Sequence, residues 1–153
     1  MARPIKLFRS ITASGTGTGG GPAGAQSSET VTGVLSPGAI ENDTLPLGDM
    51  VTIYRVTVSG PARVRLYQTS GARAADAART NTQLPTPGTP HGVIGDWWLD
   101  GSATGPFDFI CSPQADGQNN DLPQTGQIYM AVTNLALVSA AITVTIRYVP
   151  LEA

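Results

Sequence analysis

The chain has little of what most catalytic and metal sites use. Its 153 residues include one cysteine, Cys111, one histidine, His91, and one lysine, Lys6, and only 13% are charged. A single cysteine excludes a disulfide framework and a CxxC metal site, and a single histidine leaves no His-rich zinc set. The one serine flanked by glycines, in Gly101–Gly105, is second rather than third in that stretch and makes no nucleophile elbow. We therefore expect no enzyme, no cofactor and no metal site.

Charge and hydropathy argue against nucleic acid and membrane as partners. Nine basic and eleven acidic residues give a net charge of −2, whereas electrostatic binding of nucleic acid requires a positive surface. No run of about 18 apolar residues occurs, so we expect no membrane-spanning helix. No apolar stretch follows the basic residues of the N-terminus, so we expect no secretion signal.

Glycine is concentrated near the N-terminus and divides the chain in two. Residues 1–12 are apolar and cationic, with Ile5, Leu7 and Phe8, and residues 13–28 are rich in Gly, Ser, Thr and Ala. Such a stretch buries too little apolar surface to offset its ordering entropy. We predict a flexible arm over residues 1–28 and a folded domain over residues 29–153.

Alternation of apolar and polar residues, the period of a β-strand, dominates the predicted domain. Turn-forming Gly and Pro residues separate the alternating segments. The predicted strands are Thr30–Leu35, Val51–Val58, Ala62–Tyr67, Val93–Leu99, Phe107–Cys111, Ile128–Thr133 and Ala141–Val149. About seven short strands separated by turns predict an all-β fold, an antiparallel β-sandwich or jelly roll. Ala72–Arg79 is the one good local helix former, at about two turns. An isolated helix this short is marginal in water, so one packed turn and an ordered loop are the two expectations for it.

The Ser59-Gly60-Pro61 link is compatible with two chain paths. A three-residue hairpin would match the apolar faces on either side of it, but would place Arg55 opposite Arg65, which is unfavourable. Its last position also favours a left-handed backbone that Pro61 cannot adopt. An arch that carries the chain from one sheet to the other is the alternative.

Two features suggest a contact surface. Trp97 and Trp98 are adjacent, so on a strand they point to opposite faces; Trp97 shares its parity with Val93 and Leu99 and is predicted inward, which leaves Trp98 outward. An outward Trp is a protein-interface anchor, a glycan platform, or a residue covered by the loop at 85–90. The second feature is a set of arginines on the polar parity of three strands, which would form one basic patch if those strands are neighbours: Arg55, Arg63, Arg65 and Arg147.

A recognisable series of segments covers about residues 50–153: Tyr54–Ser59, Arg63–Gly71, Ala72–Arg79, His91–Val93, Ser112–Pro113, Gln127–Asn134 and Ala141–Val149. This series resembles small β-sandwich structural proteins of tailed bacteriophages. The resemblance implies a virion structural or attachment protein and transfers no active site. The Gly-rich arm and the Trp97-Trp98 pair depart from the pattern.

The resulting hypothesis is a non-enzymatic virion protein of the tail, baseplate, fibre or capsid decoration, assembled in the host cytoplasm. Its expected partners are other virion proteins and further copies of itself. The candidate interface residues are Trp98, Arg55, Arg63, Arg65, Arg147, Ile5, Leu7 and Phe8. The alternative is a carbohydrate-binding module for adsorption to a host glycan, suggested by Trp98 beside Asp96 and Asp100.

Overall fold

The computed structural model describes residues 24–80, 83, 92–99, 101 and 104–151. Within these residues the chain forms eight strands and one short helix. In chain order they are β1 (Gln26–Val31), β2 (Ile40–Leu45), β3 (Met50–Val58), β4 (Ala62–Tyr67), α1 (Ser70–Ala75), β5 (Val93–Trp98), β6 (Phe107–Gln118), β7 (Ile128–Asn134) and β8 (Thr143–Pro150).

The strands form two four-stranded antiparallel sheets. The first sheet has the order β1-β8-β3-β6 and the second has the order β2-β7-β4-β5. The pairs β1·β8, β2·β7, β3·β6 and β4·β5 are nested, so the first half of the chain runs alongside the second half as one long folded-over ribbon. This double-sheet arrangement is a jelly roll, and it confirms the predicted all-β antiparallel sandwich.

The alternating residues supply one core between the sheets. On β8, Val144, Ile146 and Tyr148 are buried, whereas Thr145 and Arg147 between them face outward. Apolar residues of β3, β4 and β7 meet this set to form a single cluster. Burial of each such side chain stabilises the fold by about 1.5–3 kcal/mol, so the contact between the two sheets holds them together.

A bulge in β3 changes which residues face the core. The register of β3 shifts between Ile53 and Arg55 against both neighbouring strands. Val51 and Ile53 are buried before the shift and Val56 is buried after it, so the bulge absorbs Tyr54. Strict alternation along Val51–Val58 predicts that Tyr54 lies on the core face with Val56. This prediction is wrong, because alternation does not hold across a bulge.

The Ser59–Pro61 link is an arch. β3 belongs to the first sheet and β4 to the second, so the chain crosses between the sheets at this link. The arch, rather than the hairpin, is the path that this sequence takes. It places Arg55 on one side of the molecule and Arg63 and Arg65 on the other.

Several element boundaries differ from the prediction. β2 was not predicted, because Ile40–Leu45 contains mostly polar residues. In the structure only Leu45 of this strand is buried. β1 begins at Gln26, so the last three residues assigned to the arm pair with β8. The helix begins at Ser70 because the Thr69 side chain accepts a hydrogen bond from the Ala72 amide.

Candidate interaction surfaces

The outward face of the first sheet carries two rows of side chains that run across the strands. The strand register aligns residues of β1, β8, β3 and β6 in each row. We call these the arginine row, which comprises Ser27, Arg147, Arg55 and Ile110, and the carboxylate row, which comprises Glu29, Thr145, Thr57 and Asp108.

Hydroxyl groups hold both carboxylates of the carboxylate row. Thr57 Oγ1 donates a hydrogen bond to Asp108 Oδ1 at 2.5 Å, and Thr145 Oγ1 donates to Glu29 Oε2 at 3.4 Å. Asp108 also lies 3.7 Å from Arg55 Nη1. All of these contacts are exposed to solvent, so they orient the side chains but add little to stability.

The two arginines of the arginine row are direct neighbours across β3 and β8. Arg55 pairs with Arg147 in the register, and like charges directly opposite each other are destabilising. Arg147 is exposed, and its guanidinium group has no hydrogen-bond or ion-pair partner within the described part of the chain. The arginine row therefore exposes to solvent a cation that has no counterion among the described residues.

The two rows form the floor of a shallow concavity. It has a volume of about 470 Å³ and is lined by Pro106 together with Ser27, Glu29, Arg55, Thr57, Asp108, Thr145 and Arg147. Its lining is polar and of both charge signs. Such a surface fits a partner that carries complementary charges.

The outward side chains of β4, in the second sheet, are buried. Arg63 and Arg65 are each only 1% exposed. Arg63 donates two hydrogen bonds to Asp96, from Nε at 2.8 Å and from Nη2 at 2.7 Å. It also donates to the backbone carbonyls of Thr80 and Gln83. The segment that follows α1 thus lies over this sheet and is tied to it by an arginine.

Asp76, at the C-terminal end of α1, is the centre of the second half of this network. Its carboxylate accepts hydrogen bonds from Arg65 Nη1 at 3.0 Å, from the Tyr67 hydroxyl at 2.6 Å and from Arg79 Nε at 2.6 Å. Arg79 Nη1 also donates to Asp96 Oδ2 at 2.7 Å. We call the connected set the arginine–aspartate cluster: Arg63, Arg65, Tyr67, Asp76, Arg79 and Asp96.

The ionisation of the cluster follows from its contacts. Burial by itself would raise the pKa of Asp96, but hydrogen bonds from Arg63 and Arg79 outweigh it and lower the pKa. Burial would likewise raise the pKa of Asp76, but hydrogen bonds from Arg79 and Tyr67 lower it overall. Burial and the hydrogen bond to Asp76 raise the pKa of Tyr67. At neutral pH both aspartates of the cluster are therefore carboxylates.

The four arginines do not form one basic patch, because the condition stated for that patch, that their three strands are neighbours, is not met. Arg55 and Arg147 lie on the outward face of the first sheet, whereas Arg63 and Arg65 lie in the second. The arch separates them, and the aspartates of the cluster neutralise most of the charge of the second pair. Only Arg55 and Arg147 remain available at the surface.

The tryptophans point as predicted. Trp97 packs against the core, and Trp98 is outward and 50% exposed. The guanidinium carbon of Arg63 lies 5.7 Å from the centroid of the Trp98 ring, which is cation–π distance. Trp98 therefore borders the arginine–aspartate cluster and keeps half of its surface open.

Three predicted features lie outside the described residues. They are the arm residues Ile5, Leu7 and Phe8, the turn histidine His91, and the loop at 85–90 that could cover Trp98. The role of the arm in assembly stays a prediction.

Sequence reasoning missed Glu29 and Asp108 as members of the charged face, and it missed Asp76 and Arg79 as members of the cluster. Asp76 and Asp108 are visible in the sequence as charged residues beside apolar ones, but nothing local indicates which arginine each of them contacts. A signal did exist for Arg63 and Arg65. They alternate with Val64 and Leu66 in a segment followed by a short helix former, which is where a helix can cover a strand face.

Comparison with protein-family models finds no matching family, and comparison with curated proteins finds no significant match. In the described ranges no helix is long and apolar enough to cross a membrane. The same residues contain no group of three or more His, Cys, Asp or Glu side chains placed to hold a metal ion.

Proposed function

We propose that this protein is a non-enzymatic structural component of a bacteriophage virion that acts by assembly with other protein chains. The observation that carries the proposal is the exposed outward face of the first sheet. It holds adjacent arginines, one of which has no counterion among the described residues, beside ordered carboxylates. Such a patterned charged face gives specificity and orientation to a protein contact.

Two further observations support a virion component. Jelly rolls occur in viral capsid proteins, and the segments Arg63–Gly71 and Ala72–Arg79 resemble tailed-phage structural proteins. The fold alone supplies an analogy and not a function, because lectin domains share it. The assignment to a virion therefore rests on the resemblance together with the surface.

The N-terminal segment is the second contact in this proposal. Residues 1–12 carry Ile5, Leu7 and Phe8 among three basic residues, and glycine-rich sequence joins them to the domain. A segment of this composition can gain order by lying on a neighbouring chain, where apolar contact offsets the entropy lost.

Particle incorporation tests the proposal. Deletion of residues 1–23, which ends before β1, is expected to leave the domain folded and to reduce incorporation into particles at least tenfold. A full-length control replaces Ile5, Leu7 and Phe8 by Ser and keeps the arm length. Loss of incorporation in both variants supports anchoring by the apolar side chains. Undiminished incorporation of both variants contradicts the role of the arm, and absence of the wild-type chain from purified particles contradicts the virion assignment.

The exposed Trp98 favours one alternative, a carbohydrate-binding module. A half-exposed indole beside charged side chains is a common platform for sugar rings. A glycan array that compares the wild type with Trp98→Ala decides between the two functions, with Trp98→Phe as a variant that keeps an aromatic ring. Binding by the wild type that is lost in Trp98→Ala and retained in Trp98→Phe supports the module. No binding by the wild type removes it.

A further inference from the structure

The outward face of the first sheet carries a charge pattern that is complementary to itself. Both cations, Arg55 and Arg147, lie in the arginine row. Both carboxylates, Glu29 and Asp108, lie in the carboxylate row, two residues away along each strand. A face with separate cationic and anionic rows matches a second copy of itself that is turned so that the rows exchange places.

We propose that this face binds a second copy of the chain around a two-fold axis. The axis would lie in the interface and run across the strands, between the two rows. The proposal rests on the assembly function above and names the partner of its charged face.

The register determines which charges meet in such a dimer. Rotation about that axis keeps each strand opposite its own equivalent and exchanges the rows. Arg147 then faces Thr145 of the second copy, with Glu29 of that copy one strand away, and Arg55 faces Thr57, with Asp108 one strand away. An arginine side chain spans the distance between neighbouring strands, about 4.8 Å. Each arginine can therefore reach a carboxylate of the other copy.

The competing two-fold arrangement is unfavourable. An axis parallel to the strands, between β8 and β3, would place the arginine row on itself and bring Arg147 over Arg55 of the other copy. Juxtaposition of like charges at an interface costs several kcal/mol. The pattern therefore selects one orientation as well as one partner, and two-fold self-complementary interfaces are the commonest in homo-oligomers.

The same pairing also resolves the repulsion within one chain. The Arg147 guanidinium group has no hydrogen-bond or ion-pair partner in the described residues and lies opposite Arg55. A carboxylate from a second copy supplies the missing counterion. The exposed Ile110, which is 71% accessible in the arginine row, would become covered in the same contact.

The charge rows allow a complementation experiment with the full-length chain. An acidic-face variant carries Arg55→Glu and Arg147→Glu, and a basic-face variant carries Glu29→Lys and Asp108→Lys. Every substituted side chain faces outward, so the variants are expected to fold. Circular dichroism and the unfolding midpoint check that they do. Sedimentation velocity over a concentration series then measures the dissociation constant of each protein and of their equimolar mixture.

We expect the wild type to dimerise, each variant alone to dimerise at least about 100-fold more weakly, and the mixture to form a heterodimer. A control variant, Val34→Glu with Leu137→Glu, adds negative charge at two exposed side chains that belong to neither row and should dimerise like the wild type. The proposal is overturned by a monomeric wild type, by a mixture that stays monomeric, or by loss of the dimer in the control alone. A monomeric wild type that still enters particles would refute this dimer and leave the proposed function standing.

Discussion

At the residue scale, the most unusual feature is the burial of two arginines on a strand face. Arg63 and Arg65 are 1% exposed, and a buried charge is tolerated only when it is paired and hydrogen-bonded. Asp96 and Asp76 supply the pairing through short bonds, although Arg65 Nε is buried without a hydrogen-bond partner within the described residues. The cluster therefore depends on each of its carboxylates.

The first prediction concerns Asp96. Asp96→Asn should lower the free energy of unfolding by about 3 kcal/mol at pH 7, because it leaves the buried Arg63 without its counterion. Urea denaturation measures this change. Asp116→Asn is the matched control, since Asp116 is exposed and, in the described residues, its carboxylate accepts a side-chain hydrogen bond only from Thr52; it should change stability by less than about 0.5 kcal/mol. Equal effects of the two variants would show that the cluster contributes no special stability.

The second prediction concerns acid. The folded pKa values of Asp76 and Asp96 lie below the ordinary 3.8. Groups with a lowered folded pKa contribute stability that is fully present above the unfolded pKa and is lost as the pH falls through the folded pKa. The free energy of unfolding should therefore decrease as the pH falls below about 3.8. Urea titrations from pH 7 to pH 2 should show a shallower decrease for Asp96→Asn than for the wild type.

At the element scale, local backbone features of β3 and β5 determine where large side chains lie. The bulge at Tyr54 returns Val56 to the core and turns Arg55 outward. On β5, the Trp97 ring lies over Gly95 of the same strand, and a Cβ at Gly95 would overlap that ring. A glycine here therefore lets a large indole lie close to its own backbone and fill the space at the edge of the core.

The third prediction tests this packing. Gly95→Ala should destabilise the protein by about 2 kcal/mol, because the added methyl group displaces the Trp97 ring, and it should shift the tryptophan fluorescence of the folded state. Gly60→Ala is the control: a Cβ there has open space and the backbone angle is not of the left-handed type. We expect its stability to stay within about 0.5 kcal/mol of the wild type. A Gly95→Ala protein that matches this control would contradict the close contact.

At the scale of the whole molecule, the nested strand pairs make the two sheets interdependent. Each half of the chain contributes two strands to each sheet, and one core joins them. Neither sheet can lose its partner without exposing the apolar face of the other. The surfaces proposed for assembly thus stand on a body that should unfold as one unit.

The fourth prediction tests this interdependence. Ile146→Ala, in the first sheet, removes a fully buried side chain and should cost about 3 kcal/mol. Tryptophan fluorescence, which reports β5 of the second sheet, and far-ultraviolet circular dichroism should show the same lowered midpoint. Ile40→Ala is the control, since Ile40 is 45% exposed and should cost much less. Separate midpoints for the two probes would indicate that the sheets unfold independently.

The sequence by itself determined the fold class and most of the core. Alternation along β3, β4, β7 and β8 identified these strands, and Trp97 and Trp98 were assigned to the correct faces. These features depend on a side-chain period of two, which is local and can be read from neighbouring residues. The sequence also indicated a helix former at Ala72–Arg79, whereas α1 runs from Ser70 to Ala75, two residues earlier at its start and four at its end.

Only the tertiary structure decided which strands are neighbours, and hence which charges meet. Arg55 and Arg63 have the same local pattern, yet one is on an exposed face and the other is buried with Asp96, because the arch sends their strands to different sheets. β1 and β2 pair with β8 and β7, which come from the far end of the chain. The sequence of β2 also lacks the apolar alternation that would predict a strand. Pairing at that separation is fixed by the core as a whole, so no local segment encodes it.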